Sequence, residues 1–179
     1  KSGVATRSQS RIISGIKAFY KYLIMEDYIT VDPTELLESP KIGMKLPDTL
    51  SVKEIDKLIA AIDLSKAEGE RNRAILELLY SCGLRVTELV SLTTSQVNLR
   101  QGVLRVTGKG NKERLTPIGE QAMDCLENYM QHSRKALLSE RPCNVIFVTN
   151  RAAGMTRQAF WHIIKRYAKK ADINKELSP

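Results

Sequence analysis

Two short stretches carry the side chains best suited to chemistry on a phosphodiester. Residues 83–89 are Gly-Leu-Arg-Val-Thr-Glu-Leu, and residues 108–114 are Gly-Lys-Gly-Asn-Lys-Glu-Arg. Arg85 carries a planar guanidinium that binds two phosphate oxygens at once, and Glu88 is spaced on the same helical face to hold it. Lys109, between two glycines, is predicted at a hairpin tip, where it binds a phosphate or donates a proton to a leaving oxygen.

Each stretch taken alone also has a plainer interpretation. Arg85 and Glu88 have the spacing of an ordinary surface ion pair, and Gly-Lys-Gly turns are common and mostly solvated. The sequence holds no Gly-x-x-x-x-Gly-Lys-Ser/Thr phosphate loop, so nucleotide hydrolysis has no support.

The charge of the chain favours a polyanionic partner. Lysine and arginine number 28 against 20 aspartate and glutamate, which gives a net charge of +8. The excess is concentrated in residues 1–24, 100–114 and 157–170, and the first and last of these stretches contain no acidic residue. Clustered positive charge of this kind is typical of nucleic-acid binding, with simple solubility as the alternative.

Several classes of protein are disfavoured by composition. No apolar run approaches the ~18 residues of a membrane-spanning helix. The three cysteines are far apart and form no Cys-x-x-Cys pair, which indicates reduced thiols and a cytoplasmic protein. His132 and His162 are too distant to form a local ligand pair, so no metal site is expected. The chain lacks an initial Met and ends without a helix stop, so we expect it to be cut at both ends.

The first part of the chain predicts one helix and a linker. Residues 8–26 have apolar side chains at helical spacing, with basic side chains largely off that stripe. The basic face either meets phosphates or is solvated. A short helix is expected around residues 35–37, and residues 39–47, with two prolines and a glycine, predict a linker. One helix and a stub cannot form a core, so residues 1–38 are expected to end a larger helical domain.

The second part predicts an α+β unit over residues 48–179. Ser51 and Glu54 form a capping box at the start of a helix, a second helix over residues 70–82 ends at Gly83, and a short helix follows over residues 86–91. The pattern then alternates, which predicts strands over residues 97–99, 103–107 and 112–117. Two further helices are predicted over residues 120–137 and 157–171. Between them, residues 145–148 are predicted to form either an edge strand or a buried extended segment. The fold class is therefore mainly α with a small three-stranded antiparallel sheet.

Together these motifs resemble the tyrosine recombinase/integrase family. Residues 83–89 resemble its first signature box, and residues 100–114 resemble its catalytic-lysine hairpin. Residues 155–161, Met-Thr-Arg-Gln-Ala-Phe-Trp, resemble a helix typical of the Xer branch. The resemblance runs through essentially the whole chain. It implies part of that family's catalytic-domain fold in residues 48–179, preceded by the end of a helical, SAM-like core-binding domain in residues 1–38.

The resemblance also implies roles for single residues. Arg85 is the first catalytic arginine, which clamps the scissile phosphate, and Lys109 is the general acid for the leaving 5′ oxygen. The implied DNA contacts are Arg7, Arg11, Lys17, Lys112, Arg114, Arg157, Gln158 and Lys165. The family uses no metal or other cofactor, because the bond energy is kept in a 3′-phosphotyrosyl link.

The family pattern continues past residue 179 with a His-x-x-Arg box, a further His or Trp, and the nucleophilic Tyr. We therefore expect the 179-residue chain to be inactive in cleavage. The intact protein is expected to act on double-stranded DNA as a tetramer, with itself or a sister recombinase, in chromosome dimer resolution, and the chain without DNA to be a monomer. The alternatives are an integrase of a phage or mobile element, and a non-catalytic DNA-binding protein.

Overall fold

The structure is a computed structural model that describes residues 3–41, 43, 48–175 and 177, with only the backbone at residue 109. It divides into two compact units, Lys1–Pro47 and Asp48–Pro179. Of the predicted linker at residues 39–47, residues 42 and 44–47 lie outside the described part.

Helix α1, Thr6–Met25, dominates the first unit and confirms the helix predicted there. None of its residues is buried, and Ile12, Ile16 and Phe19 on its apolar stripe are 56%, 40% and 56% exposed. The prediction of a short helix around residues 35–37 is wrong, because the chain forms a turn there. There the Asp32 carboxylate accepts hydrogen bonds from the backbone N–H and the hydroxyl of Thr34, at 2.8 and 2.6 Å. This side chain supplies a local partner that favours a turn over a helix.

The second unit begins with two helices whose ends follow the predicted signals. Helix α2, Val52–Ala60, starts with the capping box, in which the Ser51 N–H donates to the Glu54 carboxylate at 2.7 Å. Helix α3, Ala67–Cys82, starts three residues before the predicted position and ends at Gly83, which has a left-handed φ of 56°. Only glycine adopts that conformation without strain from a side chain.

A short helix and the small sheet follow. Helix α4, Val86–Ser91, leads to strands β1, Val97–Asn98, β2, Val103–Thr107, and β3, Glu113–Pro117. The strands are antiparallel in the order β1-β2-β3. A single turn at Lys109–Asn111 joins β2 to β3, with Gly110 at a φ of 77°. The predicted fold class is confirmed.

The remaining helices close the core. Helix α5, Glu120–Asn128, runs through a π-helical turn at Tyr129–Ser133 into α6, Arg134–Leu138. Helix α7, Arg157–Lys170, is capped by the Thr156 hydroxyl, which accepts from the Ala159 N–H at 3.1 Å. Helix α3 packs against α5, and α2 and α4 pack against α7. The fully buried side chains at the centre include Leu78, Leu89, Leu104, Leu126, Phe147 and Phe160.

Two arginines hold the buried extended segment at residues 145–148 in place. Arg134 donates to the carbonyl oxygens of Val145 and Ile146, at 2.7 and 3.0 Å. Arg71 donates to the carbonyl oxygen of Val148 at 2.9 Å, and burial lowers the pKa of its guanidinium. Because these two arginines donate hydrogen bonds to backbone carbonyl oxygens of the core, their role is structural. Among the described residues, no helix is long and apolar enough to cross a membrane.

Candidate active site

Arg85 stands at a rigid junction between two helices. It lies two residues after Gly83, which ends α3, and it immediately precedes α4 in an extended conformation. Its neighbour Leu84 and the following Leu89 are buried in the core, whereas the Arg85 side chain is 69% exposed. The backbone at Arg85 is therefore fixed by buried neighbours while its guanidinium faces solvent.

Glu88 is the centre of the site. Its side chain is only 5% exposed, and each carboxylate oxygen accepts two hydrogen bonds. Oε1 accepts from Nη1 of Arg85 and from Nη1 of Arg114, both at 3.0 Å. Oε2 accepts from the backbone N–H of Arg85 at 2.9 Å and from Nη2 of Arg114 at 2.8 Å. A buried carboxylate with four donors is fully satisfied, which makes it a stable anchor for both arginines.

This arrangement keeps Glu88 ionised. The hydrogen bonds from Arg114, and then those from the backbone and side chain of Arg85, lower the pKa of Glu88 to about 2 against the opposing effect of burial. In return, the hydrogen bond to Glu88 raises the pKa of Arg114 above its usual value. The cluster therefore carries one negative and two positive charges at neutral pH, a net positive charge suited to an anion.

The two arginines differ in what they still offer to a ligand. Arg114 uses both terminal nitrogens on the Glu88 carboxylate. Arg85 uses only Nη1 of its side chain, and within the described residues its Nε and Nη2 donate to no protein group. Because a guanidinium binds a phosphate through two parallel N–H groups, Arg85 can hold Glu88 and a phosphate at the same time.

The base of the hairpin meets this cluster. A Cβ atom added to Gly108 would lie 3.4 Å from Nη1 of Arg114 and 3.6 Å from Oε1 of Glu88. The Gly108 N–H donates to the carbonyl oxygen of Lys112 at 2.8 Å, which closes the hairpin. Lys109 follows Gly108 directly, and its side chain lies outside the described part. The two sequence motifs are thus joined through Glu88 and Arg114, although they are far apart along the chain.

A groove of about 740 Å³ lies beside Arg85. Its walls are mainly apolar side chains from α2, α3 and α7, including Leu58, Leu79, Phe160 and Trp161. Arg157, in the first turn of α7, lines the same groove as Arg85. Over the described residues, no group of three or more His, Cys, Asp or Glu side chains is placed to hold a metal ion.

The sequence of the second unit matches a known protein family. Residues 48–179 match the phage integrase family. The chain belongs to the phage integrase family. That match includes the whole site described above, from Arg85 to Arg157.

Relatives within the phage integrase family share much of this sequence. The chain is 52% identical to the tyrosine recombinase XerD of Pseudomonas putida over 177 residues, which cover 99% of this chain and 59% of that protein. It is 44% identical to the tyrosine recombinase XerD of Staphylococcus haemolyticus over 177 residues, which cover 99% of this chain and 60% of that protein. The chain therefore spans about three-fifths of the length of these relatives.

Solved structures share the fold. The crystal structure of XerA recombinase is 29% identical, with a TM-score of 0.63 over 98% of this chain and 57% of that chain. A lambda integrase (75–356) dimer bound to a COC′ core site is 20% identical, with a TM-score of 0.71 over 97% of this chain and 62% of that chain. The α+β architecture is thus that of the tyrosine recombinase catalytic domain.

The other predicted site residues of this integrase-family chain lie on two separate units. Arg7, Arg11 and Lys17 are on α1 in the first unit, where Arg7 and Arg11 are exposed and Lys17 is half-buried. In the second unit, the hairpin and α7 carry the exposed residues Lys112, Arg157, Gln158 and Lys165. Their contacts with DNA stay predictions.

The sequence paired Glu88 with Arg85 and gave Arg114 as a DNA contact, but it did not predict that Arg114 pairs with Glu88. A signal was present in the strand pattern. Arg114 lies opposite Val106 in the register of β2 and β3, and Val106 is buried. Since cross-strand partners point to the same face of a sheet, Arg114 occupies an inward-facing position, where a charge needs a partner.

Proposed function

We propose that this chain is part of a site-specific tyrosine recombinase that cuts and rejoins DNA strands. The observation that carries the proposal is the cluster of Arg85, Glu88 and Arg114. In this cluster an arginine with open donors lies next to the base of the Lys109 hairpin. The 52% identity to a tyrosine recombinase over 99% of the chain supports the same function.

The mechanism follows from what each group can do to a phosphodiester. Arg85 donates its open N–H groups to non-bridging phosphate oxygens and stabilises the charge that develops on them in the transition state. A tyrosine from the rest of the protein attacks phosphorus and forms the 3′-phosphotyrosyl bond, while the P–O bond to the 5′ oxygen breaks. Lys109 gives a proton to that oxygen as it leaves. The bond exchange conserves energy, so the strand can be rejoined without a cofactor.

The proposed organisation assigns separate tasks to the two units. Residues 1–38 are the last part of a helical core-binding domain whose basic face, with Arg7, Arg11 and Lys17, contacts the duplex. Residues 39–47 are the linker, and residues 48–179 are the first part of the catalytic domain. The exposed apolar side chains of α1 support this proposal, because a helix with such a stripe needs a larger domain to cover it.

The chain by itself is proposed to be inactive in cleavage, and the two tyrosines of its core are poorly suited to act as the nucleophile. Tyr129 and Tyr167 are buried, and their hydroxyl groups are hydrogen-bonded to Ile146 and Asn72. Burial raises the pKa of Tyr129, which makes its phenol harder to ionise. Tyr80 is 53% exposed and lines the groove beside Arg85, so it is the tyrosine to test.

The intact protein is proposed to act on double-stranded DNA in the cytoplasm as a tetramer, with itself or with a sister recombinase, and to resolve chromosome dimers. The high identity to proteins named XerD supports this role over that of a phage or mobile-element integrase. The chain without DNA is proposed to be a monomer. The unpaired state of Cys82, Cys125 and Cys143 is consistent with the reducing cytoplasm.

The proposal is tested first by binding of the chain to a short DNA duplex over a series of salt concentrations. If six of the basic side chains predicted to contact DNA each neutralise one phosphate, a plot of the logarithm of the binding constant against the logarithm of the salt concentration has a slope of about −5. A folded chain that does not bind duplex DNA even at low salt contradicts the proposed DNA contacts.

Cleavage is tested with a nicked substrate that traps a covalent protein–DNA adduct. The full-length protein is expected to form the adduct and the 179-residue chain to form none. An adduct formed by the chain contradicts its proposed inactivity. The Tyr80→Phe variant then shows whether Tyr80 is the attacking group.

A further inference from the structure

Arg114 differs from the other basic residues predicted to contact DNA, because both terminal nitrogens of its guanidinium are already occupied. They form a two-point ion pair with Glu88 at 3.0 and 2.8 Å, and the side chain is 40% exposed. Two-point pairs between arginine and carboxylate are among the strongest in proteins. To bind a phosphate in the same way, Arg114 would have to abandon a buried carboxylate, which is costly.

The position of Arg114 links three parts of the site. Its guanidinium lies against Gly108 at the base of the hairpin, and its partner Glu88 sits on α4. Glu88 in turn accepts from both the backbone and the side chain of Arg85. A single side chain therefore connects the strand after the Lys109 turn to the helix that follows Arg85.

We propose that Arg114 is a positioning residue, which acts through Glu88 to orient the Arg85 guanidinium and to hold the base of the Lys109 hairpin. It does not bind a DNA phosphate itself. The inference rests on the proposed function for the roles of Arg85 and Lys109. It replaces the sequence-based prediction that Arg114 is a DNA contact with a role inside the site.

The physical reason is the sharing of the Glu88 oxygens. With Arg114 in place, Glu88 needs only one N–H from the Arg85 side chain, and the remaining donors of Arg85 stay open. Without Arg114, half of the Glu88 hydrogen bonds are lost in a buried position. Glu88 then accepts further hydrogen bonds from the Arg85 guanidinium, so those N–H groups are no longer open to a phosphate.

The test compares Arg114→Met with Lys112→Met in the 179-residue chain. Lys112 is the matched control, because it is an exposed cation on the same hairpin. Lys112→Met is expected to reduce the salt slope of duplex DNA binding by about 1, as for loss of one phosphate contact. Because Arg114→Met also disturbs Arg85, its effect is measured in an Arg85→Ala background, where it is expected to leave the slope unchanged. A slope that falls by about 1 when Arg114→Met is added to Arg85→Ala overturns the proposal.

Two spectroscopic measurements test the positioning role without DNA. In Arg114→Met, carboxyl NMR is expected to show the Glu88 titration midpoint rise by about one pH unit or more. Exchange of the Gly108 amide, which donates to Lys112, is expected to accelerate by about tenfold, with amides of the α3 core such as Leu78 unchanged. Equal acceleration in α3 means a general loss of stability and overturns the proposal, as does an unmoved Glu88 midpoint.

Arg114→Lys provides a second variant that keeps the charge and loses the two-point geometry. Its Glu88 midpoint and its Gly108 exchange are expected between those of the wild type and Arg114→Met. In the full-length protein, Arg114→Met is expected to slow adduct formation by about 10- to 100-fold with DNA affinity nearly unchanged. If the wild-type chain does not bind DNA, the proposed DNA contacts fail, and the NMR measurements still decide the role of Arg114.

Discussion

Arg85 and Glu88 are joined at two points, since both the backbone N–H and the guanidinium of Arg85 donate to the Glu88 carboxylate, at 2.9 and 3.0 Å. The backbone bond is the reciprocal half of a helix cap at the start of α4. One carboxylate thus caps the start of α4 and orients a candidate catalytic side chain. Any change at Glu88 acts on both stability and the site.

Acid is expected to remove the stabilisation that Glu88 provides. Its pKa in the folded chain, about 2, lies below the ordinary 4.5, so the contribution is complete above pH 4.5 and is lost as the pH falls towards 2. The shift corresponds to on the order of 3 kcal/mol. In urea unfolding, the difference in free energy between the wild type and Glu88→Gln should be largest at pH 7 and shrink between pH 5 and 2.

The comparison with Glu88→Gln is needed because Glu54 titrates over the same range. Hydrogen bonds from Lys175 and Ser51 lower the pKa of Glu54 to about 2 as well. This residue is unchanged in both proteins, so its contribution cancels in the difference. A difference that stays constant from pH 7 to pH 2 contradicts the ionised, four-donor state of Glu88.

Arg85→Ala in the full-length protein is expected to separate binding from chemistry. Loss of a group that stabilises transition-state charge lowers the cleavage rate by about 10²–10³ or more, while the affinity for DNA changes by only about fivefold. Covalent adduct formation and equilibrium binding measure the two effects. Arg105→Ala, which removes an exposed arginine on β2, serves as the control, and equal rates for the two variants contradict the role of Arg85.

Lys109→Ala is expected to slow cleavage in a way that depends on the leaving group. Loss of a general acid costs about 10²–10⁴ in rate, but a substrate with a 5′-bridging sulfur leaves without a proton and is cleaved at nearly the wild-type rate. Single-turnover cleavage of both substrates gives the measurement. Lys112→Ala is the control on the same hairpin and should show no such rescue. An equal defect on both substrates means that Lys109 is not the acid.

Gly69→Ala is expected to destabilise the second unit strongly. A Cβ atom at this position of α3 would lie 1.8 Å from the backbone oxygen of Asp63, so the loop before the helix has to move. We expect a loss of about 2–4 kcal/mol in the free energy of unfolding, measured by thermal or urea denaturation. At Gly154 the same change meets only ordinary contacts, at 3.6 Å from the Val145 side chain. If both variants unfold alike, the close approach at Gly69 is incorrect.

Local signals in the sequence predicted most of the elements correctly. The capping box at Ser51, the helix end at Gly83 and the Thr156 cap are each made by residues within a few positions of one another. The alternation that predicts β2 and β3 is local in the same sense. The incorrect helix around residues 35–37 was also a local matter, because the Asp32 side chain satisfied the backbone of Thr34 in a turn.

The amino-acid sequence by itself determined which residue types are available for the chemistry, which capping residues mark several of the helix ends, and that Glu88 can reach Arg85 one helical turn away. Only the tertiary structure decided that Arg114, 26 residues later, shares the same carboxylate, and which arginines are committed to the core. The reason is physical. Pairing across a sheet and packing between helices bring together groups whose separation along the chain carries no information about their distance in space.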